Sequence, residues 1–141
     1  MKSLKTLLIG LFIGGLIPLV SYGQCGELAN KCAPRIKPYK SDGQFHRALL
    51  LEGETAEFET TFYAGNEYKI VGCTGPHSDT IEFSVYDSRY NLLFSNLDFE
   101  MPQEWEFNFN ATDKYIIQAN LTEGTGSGCA VILIGFKEDA N

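Results

Sequence analysis

From Phe45 onward, apolar side chains recur at every second residue in short runs, and turn residues interrupt those runs roughly every ten residues. Ala56, Phe58, Thr60 and Phe62 share one parity, while Glu57, Glu59 and Thr61 share the other. Ile81, Phe83 and Val85 alternate with Glu82, Ser84 and Tyr86, and Trp105, Phe107 and Phe109 alternate with Glu104, Glu106, Asn108 and Asn110. Tyr115, Ile117, Ala119 and Leu121 repeat the scheme. Successive side chains of a strand point to opposite faces, so each run has one core face and one wet face. The stretch from Ala130 to Phe136 is apolar on both parities, the pattern of a central strand covered on both sides. Separators such as Glu52-Gly53-Glu54, Ala64-Gly65-Asn66 and Asp87-Ser88-Arg89 supply turn chemistry. The chain therefore reads as all-β: an antiparallel β-sandwich, jelly-roll-like, of about eight strands. The strands are expected near 45–52, 54–63, 67–74, 79–87, 90–97, 103–110, 114–121 and 128–136.

The N-terminal segment obeys different rules. Lys2 and Lys5 precede an apolar run from Leu7 to Val20, which closes on Ser21-Tyr22-Gly23. A basic start, an apolar stretch and small residues before a polar break form a secretory signal peptide. The apolar run is shorter than the roughly 20 residues of a membrane span and contains Pro18. Residues 1–23 are thus read as the signal peptide, with cleavage before Gln24 and export to the periplasm or beyond. A lipidated Cys25 is disfavoured, because Gln24 stands where a lipobox needs a small residue. Residues 24–44 form a basic, proline-containing lead-in carrying Lys31, Arg35, Lys37 and Lys40, expected to lie as a strap across an acidic sandwich. Residues 45–137 form the sandwich domain and 138–141 a tail.

Cleavage removes two lysines and leaves 9 basic residues against 18 acidic ones, a formal charge of −9. That acidity argues against nucleic acid as a partner, since phosphates demand clustered Lys and Arg, and against anionic membrane surfaces. The four cysteines, Cys25, Cys32, Cys73 and Cys129, all lie beyond the export segment, and an even count in an exported domain points to two disulfides. Cys73–Cys129 is the favoured bridge, because both residues sit in strand-like segments, which leaves Cys25–Cys32 as a local clip. That clip fails if residues 27–31 are helical: seven residues then separate the sulfurs by about 10 Å along the axis, and each must reach a different strand cysteine. Zinc is not expected, for no Cys-x-x-Cys pair or neighbouring His supplies a tetrahedral set.

No catalytic constellation emerges. His77-Ser78-Asp79 places three triad residue types side by side, but adjacent side chains on an extended chain diverge. His46 stands apart from them in sequence. Glu57 with Glu59, or Glu104 with Glu106, would project from one face about 7 Å apart, a spacing that could flank a sugar. Alternating Glu on a solvated sheet face is far commoner and is the favoured account of both pairs. Calcium could be held by Glu52 with Glu54, or by Asp79 with Asp87, though no EF-hand spacing is present; no other cofactor is implied. Trp105 falls on the core parity. Tyr63, Tyr86 and Tyr90 are the surface aromatics placed to contact a ligand.

Three stretches are similar to those of a known module. Phe62-Tyr63-Ala64-Gly65-Asn66-Glu67-Tyr68-Lys69-Ile70, the hairpin from Phe83 to Leu93 with its Tyr86-Asp87 pair, and Asn110-Ala111-Thr112-Asp113-Lys114-Tyr115-Ile116-Ile117 resemble bacterial pre-peptidase C-terminal domains over roughly residues 47–136. The resemblance implies a sandwich with an accessory, non-catalytic role. The leading expectation is an exported, non-enzymatic binding module for a protein or glycan. A small secreted hydrolase or hydrolase accessory subunit, and a calcium-stabilised cell-surface module, are the alternatives.

Overall fold

A computed structural model describes residues 23–76 and 80–138. The expected signal peptide lies outside the described residues except for Gly23, as do the His77-Ser78-Asp79 turn and the tail beyond Glu138. The chain opens with helix α1 (Gly23–Cys32) and a 3₁₀ turn (Ala33–Ile36). The strands then follow as β1 (Lys40–Leu50), β2 (Thr55–Phe62), β3 (Asn66–Gly75), β4 (Ile81–Asp87), β5 (Leu92–Ser95), β6 (Glu104–Asn108), β7 (Asp113–Leu121) and β8 (Gly128–Glu138). A second 3₁₀ turn, Asn96–Phe99, joins β5 to β6. One sheet runs β1-β8-β3-β6 and the other β2-β7-β4-β5, with antiparallel neighbours throughout. This interleaving is that of the jelly roll.

Parity and register build the core together. Phe58 lies opposite Ile117, Ala56 opposite Ala119, and Val85 opposite Ile117 from the other side, so the apolar parities of β2, β7 and β4 share one inner face. Against them pack Tyr68, Ile70, Ile132 and Ile134 of the second sheet. Phe62, Ile70, Ile81, Phe83 and Ile117 are fully buried, each contributing about 1.5–3 kcal/mol relative to exposure. At one end Phe62 stacks on Phe109, with ring centroids 4.3 Å apart, and Tyr115 closes on Phe109 at 4.4 Å.

Strand β8 explains its own two-sided apolar pattern. It is central in its sheet; Ala130, Ile132 and Ile134 face the sandwich interior, and Val131 and Leu133 face outward beneath a second apolar cluster. Ala29, Ile36 and Tyr39 supply that cover. The lead-in is therefore a strap laid over the β1-β8-β3-β6 sheet. Arg35 fastens it by donating to the Gly72 carbonyl at 3.4 Å and pairing with Glu104 at 3.4 Å. Gly135 sits directly beneath, where a Cβ would collide with the Ile36 and Tyr39 side chains.

The favoured cysteine pairing is corrected. Cys25 bonds Cys129, with Cα atoms 5.4 Å apart, and Cys32 bonds Cys73 at 6.6 Å. The reason is α1 itself. A helix holds Cys25 and Cys32 two turns apart on one face, so both point at the sheet below and neither can reach the other. Cys73 and Cys129 lie on adjacent strands but off register: Cys73 opposes Val131, and Cys129 opposes Gly75. Strand β1 also begins earlier than alternation suggests. Ser41 pairs with Gly135 and Phe45 with Leu133, so residues 42–44 bulge out opposite one residue of β8 and hide the period.

Candidate functional site

The three tyrosines singled out from sequence separate into two places. Tyr86 faces outward from β4, as its parity requires, and its ring centroid lies 6.3 Å from that of Tyr90. Tyr90 belongs to the β4–β5 hairpin, which the Asp87 carboxylate organises by accepting the backbone N–H groups of Arg89 (2.9 Å) and Asn91 (2.8 Å) and the Asn91 side-chain amide (2.8 Å). Those Asn91 hydrogen bonds hold the Asp87 carboxyl below its ordinary range. Tyr90 itself has φ +61°, a conformation costly for a bulky aromatic. Its hydroxyl donates to Glu57 on β2 at 2.7 Å. Because β7 lies between β4 and β2, the side chain crosses the outer face of β7, where Ile116 on the wet parity is only 7% exposed. Glu57 also accepts from Gln118 at 3.2 Å, and Glu59 pairs with Lys114 at 2.7 Å. The carboxylate pair considered for sugar chemistry is thus engaged in holding this face. Glu104 is likewise engaged, by Arg35 and Lys69.

Tyr63 lies elsewhere, in the β2–β3 turn, where its carbonyl accepts the Asn66 N–H and Gly65 takes φ +87°. The residue is 56% exposed and lines a 250 Å³ cavity on the β1–β2 side of the sandwich. The acids considered for calcium are dispersed. Glu52 and Glu54 border a 390 Å³ cleft, but Glu54 caps the backbone N–H of Leu51 at 2.8 Å. Asp79 lies outside the described residues, and Asp87 is committed to its hairpin. Among the described residues no three His, Cys, Asp or Glu side chains gather as metal ligands.

A third surface escaped sequence reasoning. Strand β5 is the edge of its sheet, and Leu92, Leu93, Leu97 and Phe99, on β5 and the 3₁₀ turn after it, are each more than half exposed. Beneath them Phe94 packs on Trp105 at 4.8 Å and stacks on Phe99 at 5.5 Å, while Phe99 contacts Trp105 at 4.8 Å. Trp105 has the inward parity expected of it but is only half-buried, because β6 is also an edge strand. Asn96 anchors the turn and is itself fully buried. Its side chain accepts from Phe83 N–H at 3.0 Å and donates to the carbonyls of Ile81 (2.9 Å) and Pro102 (3.1 Å). The available signal was Leu92-Leu93-Phe94, apolar on both parities in a segment too short to be a covered central strand.

An eight-stranded jelly roll with a disulfide-tied N-terminal cover, and an exposed apolar edge, is the class of protein these observations define. No protein-family model matches the sequence, and no curated protein matches it. Among solved structures the chain is similar to PliG of Aeromonas hydrophila, a periplasmic lysozyme inhibitor of g-type lysozyme, at 14% identity and a TM-score of 0.53, over 72% of this chain and 90% of that one. At that identity the likeness is one of fold.

Proposed function

We propose that this chain is an exported, non-catalytic β-sandwich that binds a protein partner through the apolar strip of β5 and its following turn. The observation that carries the reading is where backbone strain sits. Tyr90, Glu100 and Met101 are the non-glycine residues with positive φ among the described residues, and they flank Leu92, Leu93, Leu97 and Phe99 on both sides. Such strain is retained where it holds a functional surface, and four large apolar residues left half-exposed on one sheet edge and its following turn favour protein binding there. Asp98 and Glu100 on that rim favour a partner with basic surface, as does the formal charge of −9 beyond residue 23. Two disulfides suit an oxidising compartment. A Cys25 sulfur bonded to Cys129 is not free for a lipid thioether, which supports a soluble exported form. The pre-peptidase-like hairpins support the same accessory role.

The inhibitor fold of PliG makes a g-type lysozyme the first partner to test. Calorimetric titration of residues 24–141 with such an enzyme should give a 1:1 complex. The pair Leu93→Asp and Leu97→Asp should weaken it about 100-fold or more with an unchanged melting temperature. Undiminished binding by that variant would remove the strip as the site, and a null titration of the wild type would remove this partner.

A further inference from the structure

On the side of the sandwich away from β5, the β1 bulge overhangs β2. Asp42, Gly43 and Gln44 loop out opposite Ile134, a course that Gly43 permits at φ +81° and that Gln44 N–H secures by donating to Asp42 Oδ1 at 2.9 Å. Facing the bulge are Thr61 at the end of β2 and Tyr63 and Asn66 of the next turn. The 250 Å³ cavity between them has an apolar floor that includes Tyr68 and Phe136, and a second opening of 370 Å³ adjoins it. Asp42 and Tyr63 line both, so the two form one groove with a carboxylate on one wall and an exposed aromatic on the other.

We propose that this groove is a socket for a single arginine side chain of a protein partner. The inner 250 Å³ chamber falls below the roughly 300–1,000 Å³ of drug-sized pockets and suits one side chain, which would enter through the adjoining opening. Asp42 is half-buried, and among the described residues it forms no ion pair, whereas Glu59 at the rim already holds Lys114. Burial pushes the Asp42 carboxyl above its ordinary range, only partly countered by the Gln44 N–H and by His46. A carboxylate partly withdrawn from water without a cation in contact is unfavourable, and an incoming cation relieves it. A guanidinium matches both walls, since its planar fork meets a carboxylate and its face stacks on a tyrosine. The source of that arginine rests on the protein-binding reading; the socket itself does not.

The test uses a small probe in place of the partner. Residues 24–141, labelled with ¹⁵N, are titrated with N-acetyl-L-arginine methylamide and with its neutral citrulline counterpart. Shifts confined to Asp42, Thr61, Tyr63, Asn66 and their neighbours are expected, with a dissociation constant on the order of 1–10 mM. Asp42→Asn retains an acceptor for Gln44 N–H, and it should weaken the probe about tenfold or more. Tyr63→Ala, on an exposed residue, should weaken it too. Equal shifts with the citrulline probe, undiminished binding by Asp42→Asn, or no localised shifts would overturn the socket. Free L-arginine binding about tenfold tighter than the blocked probe would overturn the protein source. A chain that takes the probe but no lysozyme keeps the socket and loses only that partner.

Discussion

Replacing Asn96 with Ala should be among the most damaging single changes in the sandwich. Three hydrogen bonds disappear: Phe83 N–H loses its acceptor, and the carbonyls of Ile81 and Pro102 lose a donor. Ile81 retains Gln103 Nε2 at 3.2 Å, so its carbonyl is not stranded, whereas the buried Phe83 N–H is. Each lost bond costs about 1 kcal/mol net, and an orphaned buried donor about 1–3 kcal/mol. The expected loss is therefore roughly 3–5 kcal/mol, or about 12–20 °C in melting temperature for a domain of this size. Asn96→Asp is a sharper probe at nearly equal volume. It keeps the acceptor for Phe83 but turns an oxygen toward the Ile81 and Pro102 carbonyls, so its loss should match or exceed that of Ala. Urea unfolding of the oxidised domain measures both, read as a midpoint shift at constant m-value. A loss below about 1 kcal/mol for both variants would refute the argument. Because Asn96 seats the turn bearing Leu97 and Phe99, the same variants should also weaken partner binding through β5.

Mass mapping of the digested, unreduced protein should recover Cys25 linked to Cys129 and Cys32 to Cys73; a Cys73–Cys129 peptide would contradict the helix-face argument. Cys32→Ser with Cys73→Ser opens a loop of sequence separation 41 and should cost roughly 4 kcal/mol in the chain-entropy model, measured by urea unfolding. His46 lies against Phe58, and burial lowers its pKa, with Asp42 opposing. The unfolded chain therefore takes up the imidazole proton first, so this contribution to stability falls as pH drops from about 6.5 toward the folded value. Asp42, raised by burial, acts oppositely in the window above its ordinary value. An NMR titration of the His46 ring, assigned with His46→Gln, should give a midpoint below about 6.5, and one above it would refute the reading.

The parts of this molecule legible from residues are those decided by local rules. Alternation in Ala56–Phe62, Ile81–Tyr86 and Tyr115–Leu121 states which side chains face inward, and the two-sided run at Val131 to Leu133 states that β8 is covered. The cysteine pairing was not legible, because it turns on a ten-residue helix that carries little pattern and on a register offset between β3 and β8. The β1 bulge is hidden for a related reason: inserting residues into one strand breaks the period that would reveal it. Parity marks Tyr86 as a surface aromatic, yet nothing in sequence shows Tyr90 reaching across β7 to Glu57.

Period, composition and turn chemistry by themselves determined a two-layer antiparallel sandwich, its inward faces and its cross-linking by sulfur. They could do so because burial acts on each short segment separately, and every segment answers to the same two-residue repeat. Only the tertiary structure decided which strands neighbour one another, which sulfurs meet, and which apolar residues remain uncovered. Those outcomes depend on contacts between segments far apart in the chain. Leu93 and Leu97 carry the same side chain as the partly buried Leu121; what leaves the first two in solvent is that β5 came to rest at the edge of its sheet.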